Sequence, residues 1–511
     1  MDLTSFVRDC NLLSPLYISL ALFIILVTIK QTKLYYSKSI KNLPPSPPQW
    51  PIIGNLHQVG DRPHVSMANL AKKYGPLMSL RFGEKLFVVA SSPAAAIGVL
   101  KTHDQLLSAR AVPPAFKQPH LQPHSLVWSE CNQTWKTLKA LCRTEVFSPK
   151  ALEAQSKLRS EKISQLLDFL RKKQGEVIDI EDVVFTTMFN TLSSIILGKD
   201  LFDLNEEHGT CVGLKESLHK LIEYAGGTND MGSFYPMIER FDLQGIRRET
   251  KKQYDKTFSF WEDIIEERRA QVNSSAWSSE EAHTFLDRLL EKQFSNNQIN
   301  ELVTDLFAPG SNTTTSVVVW AMSELVRHPD VVSKIEEEMK KEIDSNEITI
   351  FHLSKLTYLH ACMKEVFRLH PPVPFLIPHM AVETCEVMSY KIPKNATIFV
   401  NVWAMGQDTQ IWDDPLSFKP ERFIGSKLDY IGHDFEFIPF GSGRRMCPGM
   451  PFGASSVELI IASLIREFTW ALPNDDDPTK LDMNDKFGIA LKRKKPLKLI
   501  FKQKKRISTL N

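Results

Sequence analysis

From about residue 128 onward, apolar positions recur every three or four residues over 155–172, 257–272, 298–326, 330–341, 356–369 and 454–468. That interval lays one apolar stripe along a helix of 3.6 residues per turn, so each segment is predicted to be a helix packed on a shared core. Two regions change period. Residues 77–90 alternate and branch about Phe82-Gly83-Glu84, and residues 381–402 form strand-like pieces separated by Pro393-Lys394-Asn395; both predict paired strands. Gly and Pro are frequent from there to Gly453, which predicts a long ordered loop region. The expected fold is mainly α with a small β portion, forming one catalytic-sized domain over residues 52–511.

The front of the chain follows a different pattern. Residues 12–29 are nearly all apolar, and at about 1.5 Å per residue they approach the roughly 30 Å of a bilayer core. Lys30, Lys33, Lys38 and Lys41 follow, against Arg8 and Asp9 in front. No small-x-small cleavage site is present, so residues 1–30 are expected to be an uncleaved anchor, one transmembrane helix with the remaining chain on the cytosolic side. On that side the sequons at Asn132, Asn273, Asn312 and Asn395 stay unmodified. Residues 31–51 form a basic, proline-rich hinge, where Leu43-Pro-Pro-Ser-Pro-Pro-Gln-Trp-Pro51 reads as a stiff extended spacer.

Composition narrows the function. Among 511 residues, 43% are hydrophobic and 24% charged, with a net charge of +2. No strong field marks a nucleic-acid binder. The seven cysteines are dispersed without a CxxC pair, which excludes a zinc ribbon or disulfide framework and suits a reducing compartment.

One cysteine stands apart. Cys447 lies in Phe440-Gly-Ser-Gly-Arg-Arg-Met-Cys-Pro-Gly449, just before an apolar helical stretch. Phe440, Gly443, Arg445, Cys447 and Gly449 would coincide by chance in roughly one chain in ten thousand at average residue frequencies. The loop resembles the haem-binding signature of the cytochrome P-450 superfamily. That resemblance implies the cytochrome P-450 fold and haem b (iron protoporphyrin IX), with Cys447 as the axial thiolate and metal ligand. A helix N-terminus, the iron and nearby arginines are expected to keep the sulfur deprotonated. Backbone N–H groups near Gly449 are expected to face it. Glycines such as Gly443 are expected to let the backbone pass close under the macrocycle. Arg445 suits a haem propionate, and Phe440 a shield over the sulfur.

Other landmarks occur in the family's order. Glu365-Val-Phe-Arg368 and Pro420-Glu-Arg-Phe423 resemble motifs whose Glu365, Arg368 and Arg422 are implied to form a buried ionic network. Trp135 and Lys139 match a propionate-contacting pair in which Arg is usual at the second position, so a point charge replaces a fork. His379 falls where many relatives carry another propionate-pairing Arg.

Asp305-Leu-Phe-Ala-Pro-Gly-Ser-Asn-Thr-Thr-Thr-Ser316 is similar to the family's oxygen-binding helix. Thr313 occupies the alcohol position and Asn312 the acid position, so these two are the candidate catalytic residues. A Ser/Thr-rich loop preceding a helix over 317–326 is the competing reading. Pro309 lacks an N–H for the carbonyl of Asp305, so a bend or opening is expected there. Asn312 cannot shuttle a proton as a carboxylate does.

Together with Glu383-Thr-Cys-Glu-Val-Met388, this variant helix resembles an alkaloid-oxidising branch of plant microsomal enzymes: benzylisoquinoline hydroxylases, phenol-coupling enzymes and littorine mutase. The resemblance implies a small hydrophobic substrate attacked by hydrogen abstraction, followed by hydroxylation, coupling or rearrangement. It also implies O2 as oxidant and electrons from an NADPH-dependent diflavin reductase docking near Lys136, Arg143 and Arg444. The implied setting is a monomeric catalytic unit on the endoplasmic reticulum membrane, facing the cytosol. Residues 108–126, 309–313, 373–377 and 488–490 are the expected pocket walls, and Asp230 or Glu239 is a candidate partner for an alkaloid ammonium. The alternatives are a terpenoid hydroxylase, a non-catalytic haem sensor or electron carrier, and a peroxide isomerase on the same fold. The presence of Thr313 argues against the last.

Overall fold

The computed structural model describes residues 17–27, 42–117, 124–205, 212–226, 230–272, 284–343 and 348–505. All six periodic segments are helices. The longest is α5 (Asn296–Arg327), with α6 (Thr357–Leu369) and α7 (Met450–Glu467) packed against it. Others among those named below are α1 (Pro63–Tyr74), α2 (Gln133–Glu145), α3 (Ile180–Leu197) and α4 (Ile246–Val272).

Two helices differ from the periodic reading for opposite reasons. Helix α3 is buried on nearly every face, so it has no stripe to read. Helix α4 begins well before residue 257 because its buried stripe there includes Thr250, Gln253 and Thr257, polar positions that an apolar count passes over. Helix α3 also has the length and composition of a membrane span, yet it lies mostly inside the core.

The strands pair as the alternation predicts. Strands β1 (Leu77–Phe82) and β2 (Lys85–Ala90) form an antiparallel hairpin closed by Gly83. Strands β3 (Ala109–Arg110), β4 (His379–Met380) and β5 (Thr397–Val400) extend it in the order β1-β2-β5-β4-β3, with β2 and β5 parallel. This sheet covers a core of its own, containing Val88, Ile398 and Val400, beside the large helical core.

Near the front, Tyr17–Val27 is a helix exposing Tyr17, Phe23 and Leu26. The rest of the apolar run and residues 28–41 lie outside the described residues. The proline-rich segment is extended but not a free spacer. Pro45 accepts the amide of Ser79 (2.8 Å), Pro44 accepts its hydroxyl (2.7 Å), and Asn55 donates to Pro48 (3.2 Å). Proline carbonyls with no helix to enter have become acceptors for the sheet.

The implied ionic network is present. Arg368 meets Glu365 through a fork (2.7 Å for each arm), Arg422 Nε reaches the same carboxylate (2.9 Å), and Lys419 N adds a third donor (2.9 Å). Arg368 also donates to the carbonyls of Gly406 and Pro415. Such a buried pair is strongly destabilised if one partner is removed. It ties α6 to the loop that precedes the cysteine.

Candidate active site

The loop 440–449 is closed by Cys447 N, which donates to Phe440 O (3.1 Å). Its approach needs glycine at 443, where φ is +69° and a Cβ would meet Leu100 O at 2.3 Å. Gly443 therefore admits the close approach of the Leu100 backbone. At Gly449 a Cβ would meet only ordinary contacts, with Cys447 Sγ 3.9 Å away. Phe440 joins Phe367 (5.0 Å between ring centroids) and Tyr430 (5.5 Å) in an aromatic cluster that backs the loop.

The Cys447 sulfur faces the backbone amides of Gly449 and Met450, at the N-terminus of α7. Although the residue itself is exposed, the protein atoms crowded around its sulfur raise the thiol pKa, and those two amides and Lys139 oppose the rise without reversing it. The expected arginines do not act here. Deprotonation of this sulfur would have to come from a bound metal, whose charge outweighs burial.

Lys139 was expected beside a propionate. In the structure its ammonium donates to the carbonyls of Arg444 (2.5 Å) and Met446 (3.3 Å), gripping the cysteine loop itself. Burial takes its pKa down to about 8, despite the opposing pull of Cys131 and Cys447. Trp135 donates its indole N–H to Leu126 O (2.9 Å) and lies under the Arg445 guanidinium at 4.7 Å.

Arg445 donates through Nε to Ser108 O (2.9 Å) and through Nη2 to Ser129 O, while its buried Nη1 has no partner. Beside it is Arg110, 8% exposed, whose Nε is also unpartnered. Burial, then repulsion from Arg445, takes the Arg110 pKa to about 9. Arg110, buried, and Arg445, half-buried, each keep one idle buried N–H, an arrangement suited to anionic groups. Sequence reasoning missed this role for Arg110 and placed it only in a range of pocket residues; the strand register that brings it to Arg445 is a tertiary feature. His379 is buried in the same place. Its Nδ1 donates to Leu107 O (2.7 Å), and burial followed by the Arg110 charge takes its pKa to about 3. A neutral ring holding its proton on Nδ1 presents an acceptor at Nε2, unlike the arginine it replaces.

On α5, Pro309 sits within an unbroken helix, contrary to the expected opening, and the competing loop reading is excluded. The side chains of Ser311, Asn312, Thr313 and Thr314 each donate to the carbonyl four residues back, at 2.7, 2.9, 2.8 and 3.0 Å. Packing on both sides of the proline, with α3 and α7 among the neighbours, offsets one lost backbone bond. The Thr313 hydroxyl is thus parked on Pro309 O. Asn312 is buried with its Oδ1 unpartnered. One turn earlier, Asp305 accepts from Ser125 Oγ (2.7 Å), Leu126 N (2.6 Å) and Val127 N (3.1 Å), fastening the loop that carries the Trp135 acceptor.

A cavity of about 1000 Å³ opens between this loop and the sheet. Its walls include Arg110, Val373, Phe375 and Ile489, from three of the four expected pocket segments, and Trp128 outside them, but not Pro309 to Thr313 or Cys447. Arg110 is common to this cavity and to the two guanidiniums beside the cysteine loop. Glu239 is held by Lys117 (3.1 Å) and Asp230 accepts from Gly232 N (2.9 Å), so both candidate ammonium partners are already engaged.

A family model described as Cytochrome P450 matches residues 44–501. The chain belongs to the cytochrome P450 family. It is 46% identical to a protein described as probable (S)-N-methylcoclaurine 3'-hydroxylase isozyme 2 of Coptis japonica, over 90% of this chain and 93% of the relative. It is 39% identical to berbamunine synthase of Berberis stolonifera (91% and 95%) and 37% identical to geraniol 8-hydroxylase of Catharanthus roseus (93% and 97%). As a cytochrome P450 it is an oxidoreductase of the monooxygenase type that carries haem b on a cysteine thiolate. The residues present fit that group. Haem b has two carboxylates for the idle donors of Arg110 and Arg445, and the Gly449 and Met450 amides stand where a thiolate needs donors. When bound, thiolate-ligated haem supplies the electron push that favours O–O cleavage.

Proposed function

We propose that Cys447 is the axial ligand, that Arg110 and Arg445 bind the propionates, and that the enzyme oxidises a benzylisoquinoline-type alkaloid. The observation that carries the ligand assignment is the sulfur facing two amides at the start of α7, with an idle buried N–H on each of two guanidiniums nearby. The substrate class rests on the relatives named for N-methylcoclaurine and berbamunine.

Thr313 then supplies the hydroxyl nearest the distal chemistry, released from Pro309 O to bind water or donate a proton. Asn312 orders that water through its idle carbonyl oxygen. Electrons come from an NADPH-dependent diflavin reductase docking on the exposed Lys136 and Arg143. Arg444, one-third exposed, stands beside them with its charge shared by Asp104 through a fork (2.9 and 3.3 Å). The exposed apolar helix Tyr17–Val27 anchors the enzyme, as a single catalytic unit, in the endoplasmic reticulum membrane.

The purified, reduced protein under carbon monoxide is expected to show the strongly red-shifted Soret band of thiolate-bound haem, and Cys447→Ser to lose it. Product masses from (S)-N-methylcoclaurine under labelled oxygen then read the outcome: label for hydroxylation, loss of two hydrogens for coupling, neither for rearrangement. A terpenoid hydroxylase is the second reading, favoured by the geraniol 8-hydroxylase relative; turnover of geraniol but not of the alkaloid would establish it. No NADPH consumption beyond background with reductase and either compound would mean that the substrate is neither of these two.

A further inference from the structure

The loop that carries Phe487, Gly488 and Ile489 into the cavity is the tip of a hairpin, in which Asp485 pairs with Arg493 and Lys486 with Lys492. The two sides of this hairpin are anchored to different parts of the molecule. The return side is fixed to α5: Ser316 Oγ and Trp320 Nε1 both donate to Leu491 O (2.6 and 3.2 Å), and Arg493 donates to Ser323 Oγ (2.7 Å). The outgoing side is fixed to the start of α1 by one carboxylate. Arg62 Nε donates to Asp485 Oδ1 (2.9 Å) and Nη2 to Oδ2, while His64 Nε2 lies 3.4 Å from Oδ2. The Asp485 side chain is only 7% exposed, although Arg62 reaches solvent at 44%.

His64 extends this contact to the cavity wall. Its ring is fully buried and stacks on Phe487 (5.6 Å between centroids, planes 14° apart), with Trp403 edge-on at 5.0 Å. Asn401 donates to its backbone carbonyl (3.0 Å), which fixes the backbone beneath the ring. Phe487 in turn meets Phe375 at 5.8 Å. On the other side of the carboxylate, Val59, Pro63 and Met67 line the same cavity.

We infer that Asp485 is a positioning residue whose clasp on Arg62, beside the His64 ring, sets the width of the cavity between α1 and Phe487, and so the size of substrate admitted. The inference rests on the proposed haem-thiolate site only in taking this cavity as the substrate's approach. The clasp acts at a distance from the haem-binding loop: without it the outgoing strand is released while the return strand stays on α5. Size selection is therefore predicted to change while haem binding does not.

The test compares wild type with Asp485→Asn and Arg62→Gln, using imidazole and the bulky azole clotrimazole as iron ligands, whatever the natural substrate. All three proteins are expected to give the same reduced carbon monoxide band per mole. Imidazole affinity is expected to stay within about twofold, whereas the clotrimazole-to-imidazole affinity ratio shifts at least about fivefold, roughly 1 kcal/mol. Arg62→Lys, which keeps a charge, is expected to recover part of the ratio. An unchanged ratio in Asp485→Asn with an intact carbon monoxide band overturns the clasp, as does a parallel loss of both affinities. If Asp485→Asn does not accumulate, the partly exposed Arg62→Gln gives the same reading. A wild type lacking the red-shifted band instead defeats the haem-thiolate assignment.

Discussion

Arg110 and His379 oppose each other across the antiparallel pair β3 and β4, and the guanidinium joins burial in keeping the imidazole neutral. The neutral ring at position 379 thus has its only N–H spent on Leu107.

Arg110 is consequently expected to bear more of the haem anchoring than His379. Arg110→Ala should weaken haem retention by about 10- to 100-fold, the loss of one or two charge-assisted bonds. His379→Leu should change it by less than about threefold on the same reasoning. Haem transfer to apomyoglobin measures both; equal effects would contradict this division.

Lys139 is expected to act on the cysteine loop. Lys139→Ala removes two donors from the carbonyls of Arg444 and Met446, and should cost about 1–3 kcal/mol of stability. It should also increase conversion of the carbon monoxide complex to the inactive form with a less red-shifted band. Chemical denaturation and the time course of that spectrum check it.

Glu365 is the shared acceptor of two buried guanidiniums and one amide. Glu365→Gln leaves Arg368 and Arg422 without a counter-charge, and about 3–5 kcal/mol should be lost. The readout is the denaturation midpoint, with the yield of haem-loaded protein falling in parallel.

The Asp485 clasp carries a pH signature away from the haem. Burial raises this carboxyl, but the nearby His64 ring and the bonds from Arg62 outweigh it and bring the pKa from 3.8 to about 2. Between those values the unfolded chain binds the proton that the fold refuses, so stability rises with pH through the window. The clasp's contribution is therefore complete above pH 3.8 and lost as pH falls through about 2. Acid denaturation curves of wild type and Asp485→Asn should converge at the low end and separate above it.

Asn312→Asp is expected to raise the fraction of consumed NADPH that appears as product and to lower leaked peroxide. The new carboxyl would face Ala308 O and lie buried, so it would hold its proton near neutrality and serve as an acid. The gain should fade as pH rises and the proton is lost. Peroxide release measured across pH decides the matter.

Local pattern was enough for much of this molecule. The helices over 155–172 and 356–369 and the hairpin at Gly83 lie where period and turn residues put them, because one face of each meets the core and the other meets water. The cysteine loop was legible because its residue types are rare in combination over a short span, and the partners of Glu365 because their motifs resemble those of the family. Where burial is uniform, as in α3, or the buried stripe is polar, as at the start of α4, there was no contrast to read.

What only the tertiary structure decided is which distant groups meet. Arg110 reaches Arg445, Lys139 turns to the loop carbonyls, Arg444 is taken by Asp104, and Asp485 crosses more than 400 positions to Arg62. Each outcome depends on strand register, helix packing and competition for donors, quantities set by the whole fold. A sequence specifies the side chains and their local periodicity; a hydrogen bond is made with whichever partner packing brings within about 3 Å.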